Sequence, residues 1–227
     1  MITPTSDLTT RTGRGRRRGT IVALLATAAL MASPVSAASS TPYGTNLVRN
    51  PGAQDGSSSR SGNGVVSIPR WDTFANMTVV KYGTSGFPSK SRGNAIDGGS
   101  KFFSAGRYST VYGTCGDAQQ TIHLRGRGSL IDDGRIRVHL SGRVAAAGDA
   151  VAHFDLYFRD SRNHSVASNG ISRSVHGSGS SFRLVSASKT VSARTRILRV
   201  HLWADGVESG YCKAYFDNIK VTISRAH

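Results

Sequence analysis

Lys213-Ala-Tyr-Phe-Asp-Asn-Ile-Lys-Val-Thr-Ile-Ser224 shows most plainly how this chain folds. Ile219, Val221 and Ile223 alternate with Lys220 and Thr222, the period of two that marks a strand with one buried face. Aromatic and β-branched residues, which suit a pleated and half-buried surface, make up most of the rest. Asp217 and Asn218 interrupt the pattern in the middle, where apolar side chains are expected. A carboxylate in such a place needs a cation or a set of hydrogen-bond donors.

Outward from this stretch the same grammar recurs. Residues 118–124, 134–146, 150–159, 182–188 and 195–204 read as strands, with shorter ones at Phe102-Phe103 and within 73–82. Residues 46–56 read as a brief strand followed by a Pro51-Gly52 turn, and Asp160-Ser-Arg-Asn163 reads as another turn. No window carries sustained helical periodicity. Short strands divided by Gly, Ser, Asn and Asp turns predict an all-β sandwich of two antiparallel sheets. Two of the strands have distinct faces. In 135–145, Ile136, Val138, Leu140 and Val144 oppose Arg135, Arg137, His139 and Arg143. In 195–204, Leu198, Val200 and Leu202 oppose Ile197, Arg199, His201 and Trp203. If both outer faces share one sheet, they form a basic, aromatic-bearing surface suited to an acidic polymer.

The chain opens with Arg11, Arg14, Arg16, Arg17 and Arg18, then an apolar run over 20–32 and the small residues Val35 and Ala37. This is the pattern of a secretory signal peptide over residues 1–37, with a run too short for a membrane span. It predicts a secreted, extracellular protein with a flexible leader at 38–45, one domain at 46–225 and no transmembrane segment in the mature chain. The formal charge is +16, and removing five Arg and one Asp leaves +12. Such a chain is drawn to anionic surfaces, and to nucleic acid only nonspecifically. Cys115 and Cys212, the only cysteines, precede two predicted strands and are expected to pair in an oxidising compartment.

The opening Asn46-Leu-Val-Arg-Asn-Pro-Gly-Ala-Gln-Asp-Gly56, then Trp71, and the closing Ala214-Tyr-Phe-Asp-Asn-Ile-Lys-Val221 together resemble the galactose-binding-like jelly rolls of secreted bacterial proteins. These include carbohydrate-binding modules and the F-box-associated sugar-recognising domains. Ala118-Gln-Gln-Thr-Ile-His-Leu124 is similar to one of their internal strands. The resemblance spans about residues 43–225 and implies a jelly-roll sandwich. It also implies a structural calcium held by Asp217 with Asn50 and Gln54 or their backbone oxygens, although Gln54 stands where related modules often carry Glu. By the same resemblance, exposed aromatics would stack on sugar rings. Trp71, Tyr82, Tyr108, Tyr112, Trp203 and Tyr211 are the candidates, with Arg137, His139, Arg199 and His201 as polar partners.

No catalytic signature accompanies them. Asp205 with Glu208 and Asp132 with Asp133 are the carboxylate pairs a glycosidase would require, and both lie in turn-like contexts. His153-Phe-Asp155 sets two polar side chains on one strand face without an evident third metal ligand. A non-catalytic protein that binds a glycan or a cell surface as a monomer is the reading these residues favour. A small polysaccharide-degrading enzyme and an adhesive envelope protein are the alternatives.

Overall fold

The computed structural model describes residues 39–177 and 179–226. The expected signal peptide lies outside the described residues. The elements are β1 (Asp72–Phe74), β2 (Thr78–Lys81), α1 (Lys90–Asn94), β3 (Lys101–Ser104), β4 (Asp117–His123) and α2 (Gly128–Asp132). They continue with β5 (Ile136–Ala146), β6 (Val151–Arg159), β7 (Ser165–His176), β8 (Gly179–Thr190), β9 (Ile197–Asp205) and β10 (Ala214–Arg225). Two five-stranded sheets result, in the orders β1-β4-β9-β6-β7 and β2-β3-β10-β5-β8. The paired strands run antiparallel. This is the jelly-roll sandwich that the sequence resemblance implied.

The core lies between the sheets. Phe154, Leu156, Phe158, Leu198, Val200 and Leu202 from the first meet Val138, Leu140, Val144, Phe216, Ile219, Val221 and Ile223 from the second. Asp217 and Asn218 do not interrupt β10 at random. The inward-facing residues are Ala214 and Phe216 before them, and Ile219, Val221 and Ile223 after them, so the parity changes. Asn218 supplies the extra residue. Its φ of 51° lies in the left-handed region, which Asn tolerates better than most side chains. The pairing of β10 with β5 shifts register between Asp217 and Lys220, as a β-bulge requires. Asp217 is thereby aimed away from the core, beneath a second apolar cluster of Val80, Tyr82, Phe102, Ala145 and Tyr215.

Four expectations are corrected. The segment 73–82 is two strands in different sheets, divided by a turn at Ala75. Residues 46–56 form no strand, although Leu47 N–H donates to Val221 O at 2.8 Å and so lies against β10. The leader is docked from Thr41 onward. Thr41 bonds to Arg125 and His123, and Arg127 donates to Thr41 O while its guanidinium lies 4.0 Å from the Tyr43 ring. Strand β7, not anticipated, forms the far edge of the first sheet. Cys115 and Cys212 form the expected disulfide, with a Cα–Cα distance of 5.8 Å.

Candidate functional site

The faces of β5 and β9 do not combine, because the topology places these strands in opposite sheets. Arg137 and His139 look outward from the second sheet, and Arg199, His201 and Trp203 from the first. Two aromatic candidates are structural. Trp71 is 6 % exposed, packs edge-on to Phe103 and donates its Nε1–H to Asn50 O. Tyr82 is 5 % exposed and donates its hydroxyl to Asp217 Oδ2. Neither presents a ring face to solvent. Tyr108 packs against the core. Tyr211 lines a cavity of about 350 Å³ with Phe87, Lys213 and Tyr215, beside the disulfide. Tyr112 is exposed and lies 4.7 Å from the ring of Phe74, which is also exposed.

What the fold does assemble is a cluster around Trp203. Strand β9 lies between β4 and β6, so Trp203 faces His153 directly and His201 faces both Asp155 and Gln119. Because side chains on one face of a sheet alternate, these residues and Tyr157 all project from the outer surface of the first sheet. The His153 ring stacks on Trp203 at 3.8 Å with an interplanar angle of 11°. The His201 ring lies near-parallel to Trp203 at 6.1 Å, and Tyr157 is 5.9 Å from His201. Trp203 Nε1–H donates to Asp155 Oδ2 at 2.6 Å and the Tyr157 hydroxyl donates to the same oxygen at 3.0 Å. Asp155 is 2 % exposed, and its other oxygen has no partner among the described residues. Two donors on one carboxylate oxygen fix the rotamers of Trp203 and Tyr157. Burial, reinforced by the charge of Asp155, pushes the Tyr157 hydroxyl up to about 12, so it remains a donor at neutral pH.

The rim of this cluster is polar. His153 Nε2 lies 3.2 Å from Asp205, His201 Nε2 lies 3.7 Å from Asp117, and Arg199 donates to Asn163 at 2.7 Å. Phe74 pairs across the ladder with Asp117 and therefore belongs to the same face, which brings the exposed Phe74–Tyr112 pair to its edge. Sequence reasoning identified Arg199, His201, Trp203 and Tyr112 here. It missed Phe74, Asp117 and Tyr157, and it read His153 and Asp155 only as the start of a metal site. Their common face depends on which strands are neighbours.

Three of the four carboxylates considered for catalysis are engaged by other side chains. Asp132 forms an ion pair with Arg196 at 2.6 Å, Asp205 faces His153, and Glu208 lies 3.1 Å from Lys213. Among the described residues no group of three or more His, Cys, Asp or Glu is placed to hold a metal. Of the residues expected to hold calcium, Gln54 and Asp217 flank Gly52, whereas the Asn50 side chain turns to Asp55 N–H and Pro69 O. No helix among the described residues is long and apolar enough to cross a membrane.

No protein-family model matches the chain, and no curated protein is detectably similar to it. Solved structures do share the fold. The enzymatically active domain of bacteriophage CBA120 tailspike protein 4 aligns with a TM-score of 0.50 and 15 % identity over 79 % of this chain. The alignment takes in 21 % of the tailspike chain, so this chain spans about a fifth of its length. The module TmCBM61, solved with β-1,4-galactotriose, gives 0.47 and 11 % over 80 % of this chain and 99 % of its own. The xylan-binding CBM22-1 domain of Paenibacillus barcinonensis Xyn10C gives 0.40 and 11 % over 74 % and 94 %. At 15 % identity, what is shared with the tailspike domain is the fold alone.

Proposed function

We propose that this is a secreted, non-catalytic glycan-binding protein, and that the outer face of the first sheet is its binding surface. The observation that carries the reading is the Trp203 cluster with its aromatic edge. Aromatic rings held rigid by hydrogen bonds to a sealed carboxylate sit among side chains that donate and accept at the rim. Saccharides combine apolar ring faces with hydroxyl edges, and a site for them needs those two kinds of group side by side. Phe74 and Tyr112 offer exposed ring surface for stacking. His201, Gln119, Thr121 and Arg199 share the face and supply polar partners for hydroxyls.

The test is binding of the protein to a panel of neutral and acidic polysaccharides, with the supernatant checked for released chain ends. Saturable binding without release is expected. Phe74→Ala, Tyr112→Ala and Trp203→Ala should each weaken it by roughly 10- to 100-fold, the range that losing one buried aromatic contact implies. Release of chain ends would replace this reading with the enzyme. Absence of binding to any glycan would favour an adhesive role toward protein.

A second reading, an acidic polymer lying on the opposite side of the molecule, is favoured by a separate observation. Arg137, Arg143 and Lys220 project from the outer face of the second sheet and form no ion pair among the described residues. The neighbouring outward positions of β5, β8 and β10 are His139, Ser141, Leu184, Ser186, Ser188, Thr190, Thr222 and Ser224, of which only Leu184 is apolar and exposed. A shallow depression of about 340 Å³ lies along His139, Ser186, Ser188 and Lys220. The only carboxylate on that side of these strands is Asp217, which is sealed. Each cation neutralised by a polyanion contributes about 0.7–0.9 to the slope of log affinity against log salt. Replacing Arg137, Arg143 and Lys220 together by Ala should therefore flatten the salt dependence of binding to an acidic polysaccharide by roughly two units. An unchanged slope would mean that the charge elsewhere on the chain does the attracting.

A further inference from the structure

Three backbone carbonyls converge on one atom. Gly52 O, Lys101 O and Gly98 O lie 2.5, 2.8 and 3.1 Å from Gln54 Nε2. They come from two segments far apart in sequence, the loop that opens the domain and the approach to β3. Asp217, fully buried, stands just beyond: a methyl group on Gly52 would lie 2.7 Å from Asp217 Oδ1 and 3.4 Å from Gln54 Nε2. Carbonyl oxygens beside a carboxylate are the hard oxygen set that a calcium ion takes. Here the point on which they converge is filled by an amide nitrogen.

The orientation of that amide follows from its surroundings. Gln54 Oε1 accepts from the Ser100 backbone N–H at 3.1 Å and from its hydroxyl at 3.2 Å. Turned over, the amide would set an oxygen against three carbonyl oxygens and an NH₂ against the N–H of Ser100. The remaining groups are also provided for without a metal. Asp217 accepts from the Tyr82 hydroxyl at 2.5 Å and from Asn218 N–H at 2.7 Å. Lys101 is buried and donates its Nζ to Gly56 O at 2.8 Å, adding a positive charge to the same loop. The Asn50 side chain is bonded elsewhere, and although Asp55 and Asp97 line the depression beside Gln54, no group of three or more metal-ligating side chains forms there among the described residues. The set expected to hold calcium does not fit it.

We infer that the Gln54 side chain takes the place of a structural cation, its NH₂ group joining the 50–56 loop to the 97–101 segment so that the domain is complete without calcium. The inference is independent of the glycan reading. A donor NH₂ does locally what a cation would do, pulling carbonyl dipoles together. A carboxylate at position 54 would repel the same carbonyls until a divalent ion entered.

The test compares thermal unfolding of the protein and its Gln54→Glu variant in excess EDTA and in excess CaCl₂, with a terbium luminescence titration of the unsubstituted protein. The unsubstituted protein should melt at the same temperature in both media and leave terbium silent. The variant should melt lower than its parent in EDTA and recover by roughly 5–10 °C at calcium about a hundredfold above its Kd. A parent that is stabilised by calcium or sensitises terbium overturns the inference. So does a Gln54→Glu protein as stable as the parent in EDTA. The parent's measurements decide the matter even if the variant fails to fold.

Discussion

Replacing Cys115 and Cys212 together by Ala lowers the stability of this domain by about 4–5 kcal/mol, the value the chain-entropy model gives for a loop of this length. The two residues are 97 apart, so the bond closes roughly half of the domain into one loop in the unfolded chain. Both cysteines are buried, and Cys212 leads directly into β10, the strand that carries Asp217 and pairs with β3 and β5. The substitution also removes buried sulfur, which the Ala side chains do not refill, so the cavity term adds to the loss. Urea unfolding of the double variant, compared with the oxidised parent, measures it. A loss under about 1 kcal/mol would mean that the unfolded chain is already restrained in this region. The same bond borders the Tyr211 cavity, so the variant should also loosen the 205–213 loop, visible as faster amide exchange there.

How far the sequence could be read depended on how local each feature was. The strand alternation of 135–145 and 195–204 is a property of neighbours in the chain, and both faces were assigned correctly. The sheet to which each face belongs is not local, and pooling Arg137 and His139 with Arg199 and His201 failed for that reason. The cluster around Trp203 was half legible in the same sense. Trp203 and His201 share a strand, but His153, Asp155 and Tyr157 reach them only because β6 lies beside β9. Strand β7 escaped notice because its buried residues Val166, Ile171 and Val175 stand among Ser, Asn and Gly, with no continuous period of two. The parity change in β10 was visible in principle. Phe216 and Ile219 cannot both face the core of a regular strand, and Asn218 is the residue type that resolves the conflict.

Between about pH 4 and pH 7 the stability of this protein should fall, with Asp217 as the cause. Burial drives its carboxyl up to about 7, against the opposing pull of the Tyr82 hydroxyl and Asn218 N–H, both of which favour the ionised form. Tyr82 is pushed upward in turn by its own burial and by the charge of Asp217, so it stays protonated and donates throughout this range. An unfolded Asp titrates near 3.9. Below about pH 4 both states hold the proton and the stability is complete. As pH rises, the unfolded state gives up its proton first, and folding must then either take one up or bury a charge. The loss accumulates until the folded carboxyl ionises near 7 and is constant above that. A difference of about three pH units corresponds to a change on the order of 4 kcal/mol. Asp217→Asn keeps the shape and cannot ionise, so it should lack the decline that Asp217 gives its parent across this window. Comparing the two by urea unfolding from pH 4 to pH 8 cancels whatever the two proteins have in common. Tyr82→Phe should extend the decline to higher pH, because it removes a donor that favours the ionised form. Parallel profiles for parent and Asp217→Asn would place the titration elsewhere and leave Asp217 ionised in the fold.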